Sequence, residues 1–247
     1  MLVPGFTGSK EDFVLLLDPL LDAGYRVVAM DQPGQHQSPG PAERSAYTVT
    51  WLGAVVDEVA GAVGGGGPVH LLGHSFGGLV ARAAVLARPD RYRSVTLMCS
   101  GPAAIDGNRR ERMARLEPVA HQGMPALYAA MEQEALADPD RPPVPDLLRD
   151  FLRERFLSSS PAGLFGMSDA LLTEPDLVSE LRATGVPAMV CFGEHDDAWG
   201  PGPQRDMARR LGARVEVIAD AAHSPAAERP AATAKVLADF WSAPTGS

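Results

Sequence analysis

The pentapeptide Gly73-His74-Ser75-Phe76-Gly77 constrains this chain more than any other feature. It follows an apolar run, residues 69–72, and precedes a helix-patterned stretch, residues 79–86, so it reads as strand, sharp turn, helix. Small residues two positions either side of Ser75 let strand and helix approach closely, and the serine hydroxyl then stands clear at the sheet edge. Ser75 is the candidate nucleophile.

Such a serine needs a base and an orienting acid, and both stand after later strand-like runs. Residues 186–192 end in Gly193-Glu194-His195-Asp196-Asp197, and residues 213–219 end in Asp220-Ala221-Ala222-His223-Ser224-Pro225. In a parallel sheet the C-terminal strand ends share one edge, so Ser75, Asp196 and His223 should converge. Glu194 and Asp197 are competing carboxylates; Asp196 is preferred, with Asp197 suited to capping the next turn and Glu194 to solvent.

These motifs, in this order, resemble the α/β-hydrolase superfamily, in the capped serine esterase and C–C hydrolase-like branch. Leu2-Val3-Pro4-Gly5-Phe6-Thr7-Gly8 is similar to the family's oxyanion strand and loop, and Met30 to Ser38 to the loop after the next strand. The Gly-x-x-acid spacing after Gly193 places Asp196 at the family's acid position. The resemblance implies oxyanion donors at the backbone N–H groups of Phe6 and Phe76. Two departures stand out. Pro4 replaces the family's usual histidine, and His36 stands where a glycine is common.

The β/α alternation predicts a mostly parallel, doubly wound sheet. Strands are expected at residues 1–3, 26–30, 69–72, 94–99, 187–192 and 214–218, and helices at 12–23, 49–63 and 77–87. The family's first two strands are lacking, which makes 26–30 an edge suited to pairing with a second copy of the chain in a homodimer. Residues 64–67 with Pro68 read as a plain connector. Between residues 102 and 185 the alternation stops. This helical, amphipathic stretch, broken by Pro142, Pro143 and Pro145, is expected to be a cap over a core of residues 1–101 and 186–247. Phe165 and Met167 in the cap, His36, and Trp199 just past the acid are candidate pocket residues.

Composition narrows the function classes. With 45% apolar residues in 247, the chain can bury one large core, and its net charge of −9 opposes binding to a phosphate backbone. Lysine occurs only at Lys10 and Lys235. Cys99 and Cys191 sit in apolar runs that suit buried thiols, and no Cys/His spacing indicates zinc, so no metal or cofactor is expected. The start of the chain has no charged and apolar leader, and no stretch reaches the ~18 apolar residues of a membrane span. A cytoplasmic location with no membrane partner follows as the expectation.

The residue types imply a serine hydrolase. His223 would take the Ser75 proton during attack on a carbonyl, Asp196 would orient the ring, and an acyl-enzyme would be cleared by water. The expected substrate is a small to medium carboxylic ester, thioester or lactone with an apolar body. A serine in place of an aspartate at the elbow argues against chemistry through a carboxylate ester. C–C bond hydrolysis of a diketone-like acid stays open and would want a cation such as Arg82, Arg153 or Arg155. A non-catalytic ligand-binding protein of the same fold is the competing class.

Overall fold

A computed structural model describes residues 1–137 and 144–243. Five strands form one parallel sheet in the order β1 (Leu2–Val3), β2 (Val69–His74), β3 (Tyr92–Met98), β4 (Ala188–Gly193) and β5 (Arg214–Ile218). Each strand leads into helical crossovers, as a parallel sheet demands. The central strands are apolar on both faces. Leu71, Leu72, Val95, Leu97, Val190 and Phe192 are all buried, each contributing about 1.5–3 kcal/mol of apolar burial.

The flanking helices form two packing groups. One contains α1 (Val14–Asp22) with α10 (Pro225–Glu228) and α11 (Pro230–Trp241). The other runs from α2 (Val49–Val63) through α3 (Phe76–Ala87) and α8 (Val178–Ala183) to α9 (Pro201–Leu211). In α2, Leu52, Val56 and Ala60 are buried at four-residue spacing, one stripe turned to the core. No helix of the described residues is long and apolar enough to cross a membrane.

Residues 26–30 do not form the strand expected for them. They run beside β1 and make one parallel bridge, Leu2 with Ala29, through Leu2 N–H to Val28 O at 2.8 Å and Met30 N–H to Leu2 O at 3.2 Å. The reason lies in β1: Pro4 ends it after two residues and has no N–H to extend the ladder. The helix expected from residue 12 also starts later, after a 3₁₀ turn at Lys10–Phe13.

The segment between β3 and β4 carries α4 (Gly107–Ala120), α5 (Met124–Leu136), α6 (Asp146–Ser158) and α7 (Pro161–Thr173). Met124, Leu127, Phe156 and Leu164 build a small apolar cluster of their own, bordered by Phe6 of the main body. α7 also sends Met167 and Leu171 into the main core. Arg82 on α3 ties down the base of this insert: its buried guanidinium meets Glu174 at 2.7 Å and the carbonyls of Pro102 and Pro175. It is therefore a structural ion pair and not a substrate cation. Val178 and Leu181 of α8, the last helix before β4, are buried in the main core as well. The apolar pattern also overstates burial, since Leu136, Leu147 and Leu148 are exposed. Pro145 precedes α6, whereas Pro142 and Pro143 lie outside the described residues.

Candidate active site

The turn between β2 and α3 is as tight as its sequence requires. Ser75 adopts φ 54° and ψ −122°, a region that costs a non-glycine residue on the order of 1–3 kcal/mol. A Cβ on Gly73 would run into the Gly77 carbonyl, and one on Gly77 into the carbonyls of Val3 and Pro4. The turn can exist only with glycine at both places.

The hydroxyl it presents is met by His223. Ser75 Oγ lies 3.0 Å from His223 Nε2, and His223 Nδ1 lies 2.7 Å from Asp196 Oδ1. A carboxylate can only accept, so Nδ1 carries the proton and Nε2 is left to accept from the serine. Asp196 is itself buried and fixed: the Ala198 N–H donates to Oδ1 at 3.0 Å and Gln204 Nε2 to Oδ2 at 2.6 Å. Burial pushes its carboxyl up, but the bond and charge of His223, with the Ala198 and Gln204 donors, outweigh that and hold it below the usual carboxylate value. Asp197 pairs with Arg109 at 2.6 Å, and Glu194 accepts from the Asp220 N–H at 3.3 Å. Of the three carboxylates, Asp196 is the one His223 meets.

His74 lies beneath the serine and donates Nε2–H to the His223 carbonyl at 2.7 Å, which anchors the backbone that carries the imidazole. Burial, with His223 alongside, lowers it to about 4. Burial together with the charges of Arg93 and the N-terminus brings His70 to a similar value of about 4. The unfolded chain binds these protons near pH 6.5, so their contribution to stability is full above that pH and lost as pH falls toward 4. Urea denaturation at pH 7 and at about pH 4.5 should show a loss on the order of a few kcal/mol, reduced in His70→Gln. Equal midpoints at the two pH values would contradict these assignments.

The loop after β1 is held from below by two buried glutamines. Gln32 Nε2 donates to Pro4 O at 2.9 Å and Gln35 Nε2 to Gly5 O at 2.8 Å. A trans peptide sets its C=O and N–H on opposite sides, so pinning the Gly5 carbonyl turns the Phe6 N–H away from Gln35. Gly5 itself rests against Ser75, its absent Cβ falling 3.0 Å from the serine Cβ. Phe76 opens α3, where the first N–H groups have no partner within the helix. Both candidate oxyanion donors thus lie on rigid backbone next to Ser75.

A cavity of about 620 Å³ opens over the serine, lined by Ser75, His223, His74 and Phe6 below and by residues of α4 to α7 above. Phe165 lines it as expected. The other three candidate pocket residues do not. His36, at φ 42°, turns its ring onto Phe151 and Ser158 on the insert's flank; that positive φ explains why a glycine would suit the position. Met167 is buried in the main core, its Sδ 3.8 Å from Gln35 Nε2. Trp199 folds back against Gly101 and donates Nε1–H to Ala103 O at 3.2 Å. Of the suggested cations, Arg155 does line the cavity, paired with Asp12, while Arg153 is exposed on α6.

Among the described residues, two groups lie close enough to share a metal ion: His74, Cys99 and His223, and Asp196, Asp197 and His223. Both draw on His223, whose ring nitrogens already serve Asp196 and Ser75. Cys99 and Cys191 are buried free thiols, and burial pushes both up, Cys191 to about 12.

A strained serine at a strand-to-helix turn, a histidine and a buried aspartate at later strand tips define a hydrolase of the α/β class. The family model "Alpha/beta hydrolase family" matches residues 1–236, and the chain belongs to that family. A pimeloyl-[acyl-carrier protein] methyl ester esterase of Aeromonas hydrophila is 30% identical over 241 residues, 90% of this chain and 87% of that protein. A 2-hydroxy-6-oxononadienedioate/2-hydroxy-6-oxononatrienedioate hydrolase of Klebsiella pneumoniae is 32% identical over 136 residues, 54% of this chain and 42% of that protein. A solved carboxylesterase structure from Nitrososphaera gargenis shares the fold with a TM-score of 0.81 at 24% identity, covering 97% of this chain and 88% of that one.

Proposed function

We propose that the protein is a serine hydrolase of small to medium carboxylic esters, thioesters or lactones. The observation that carries this reading is the hydrogen-bonded chain from Ser75 through His223 to buried Asp196, opening into a cavity beneath the insert. Ser75 Oγ attacks the substrate carbonyl while His223 Nε2 takes its proton, and Asp196 stabilises the imidazolium that forms. The Phe6 and Phe76 N–H groups receive the oxyanion, a pair of donors each worth about 10²–10³ in rate. His223 then protonates the leaving group, and a water activated by the same imidazole clears the acyl-enzyme. The insert acts as the cap that keeps bulk water from this exchange.

The named activity of the Aeromonas relative supports ester hydrolysis. The Klebsiella relative supports a second reading, hydrolysis of a C–C bond next to a ketone, over the half of the chain that it matches. A chain-length series of p-nitrophenyl esters separates the two. Ester hydrolysis predicts turnover with a preference for short to medium acyl groups, as a cavity of about 620 Å³ implies. No turnover on any ester, with cleavage of a vinylogous 1,5-diketone acid, would favour the second.

A further inference from the structure

The cavity wall carries charge that hydrolysis of a neutral ester does not need. Five arginines contribute to it, Arg44, Arg109, Arg110, Arg112 and Arg155, against three carboxylates, Asp12, Glu117 and Asp169. In a chain of net charge −9, arginines outnumber carboxylates among the residues that line this cavity.

Four of the five arginines are matched. Arg44 pairs with Asp169, Arg109 with Asp197 at 2.6 Å, Arg112 with Glu134 at 2.7 Å and Arg155 with Asp12 at 2.5 Å. Arg110 is different. Among the described residues no carboxylate lies within ion-pair distance of it; its Nη1 donates to Leu172 O at 2.9 Å and Ile105 O at 3.5 Å. Two neutral carbonyls therefore steady one end of the planar fork, and its charge is left uncompensated with Nε and Nη2 unengaged. A guanidinium held this way is preorganised for a two-point bond to a carboxylate. One uncompensated charge matches a monoanion, whereas a phosphate dianion would call for a second. The same cavity also offers apolar lining at Leu116, Leu127, Phe156 and Leu164.

We propose that Arg110 receives a carboxylate at the end of the substrate remote from the reacting carbonyl, so that the pocket takes an ester or related carbonyl compound with an apolar middle and an anionic tail. This rests on the serine-hydrolase reading and adds the substrate's second functional group. The surrounding ion pairs hold the other four arginines to carboxylates of their own, which leaves the anion to Arg110.

The test compares p-nitrophenyl hemiglutarate with p-nitrophenyl butyrate, two esters that differ mainly in the terminal carboxylate. Wild type should favour the hemiglutarate in kcat/KM by about tenfold, the low end for a charge-assisted hydrogen bond, because Arg110 is exposed to solvent. That ratio should collapse to near one in Arg110→Gln, shrink with added salt, and hold in Arg153→Gln, whose side chain is exposed on α6. A wild-type ratio near one, or a ratio unchanged by Arg110→Gln, overturns the subsite and leaves the hydrolase intact. If neither ester is turned over, the ester reading fails, and the subsite is judged by titrating monomethyl glutarate into the Ser75→Ala protein. Binding weakened tenfold or more by adding Arg110→Gln sustains it; no binding overturns it.

Discussion

Ser75→Ala is expected to reduce ester turnover by on the order of 10⁶-fold while leaving the fold intact. The loss should be this large because the hydroxyl supplies the covalent step and His223 has no other nucleophile to activate: its Nε2 faces Ser75 Oγ at 3.0 Å. Removing the hydroxyl leaves the backbone donors at Phe6 and Phe76 in place, so residual catalysis above water should persist. Stability should change little or rise slightly, since alanine at φ 54° is strained as serine is and the buried hydroxyl no longer needs a partner. Near-wild-type turnover in the purified variant would remove Ser75 from the mechanism.

Asp196→Asn should cost about 10⁴-fold in kcat at neutral pH. The new amide can satisfy only part of its surroundings, because Ala198 N–H, His223 Nδ1–H and Gln204 Nε2–H all donate to the native carboxylate. One orientation sets the amide oxygen toward Gln204 and the NH₂ group in the place of Oδ1. There it faces His223 Nδ1 and the Ala198 N–H, both bonded to Oδ1 in the native chain. The imidazole can then keep its bond only by accepting at Nδ1, which moves its proton to Nε2 and leaves nothing to accept from Ser75. Asp197→Asn should lose only the exposed pair with Arg109 and change rates by a few-fold at most. A variant series in which the Asp197 change is the severe one would reverse the assignment.

The parts of the site that a reader of the sequence could find are those fixed by backbone geometry. The elbow needs glycine at positions 73 and 77 on steric grounds, and the strand-tip rule then brings Asp196 and His223 to the same edge. The pocket was harder to read. α7 has apolar residues on several sides, so its pattern does not tell that Met167 faces the core while Phe165 and Leu172 face the cavity. Trp199 is close to Asp196 in sequence, but the turn after β4 carries its ring back to Gly101 and Ala103. The 26–30 strand had the composition of a strand and lacked a partner long enough to pair with.

The supporting glutamines went unnoticed, although Gln204 left a signal. It stands at an apolar-face position of α9, in step with Met207, Ala208 and Leu211, and all four are buried. A polar residue in such a stripe must find a buried partner, and here it finds the Asp196 carboxylate. Gln32 and Gln35 sit in a loop with no periodicity, so only the structure shows that they brace the oxyanion loop where a histidine at position 4 would otherwise contribute. The charge of the insert was also visible in Arg109, Arg110 and Arg112, but which of them lacks a partner depends on how the helices meet.

The most direct measurement is the site of covalent modification by a fluorophosphonate, mapped by peptide mass spectrometry. The account predicts a single phosphonyl adduct on Ser75, formed rapidly in the wild type and slowed severely in His223→Ala. An unmodified Ser75 under conditions that label a control esterase, or an adduct on another residue, would contradict it.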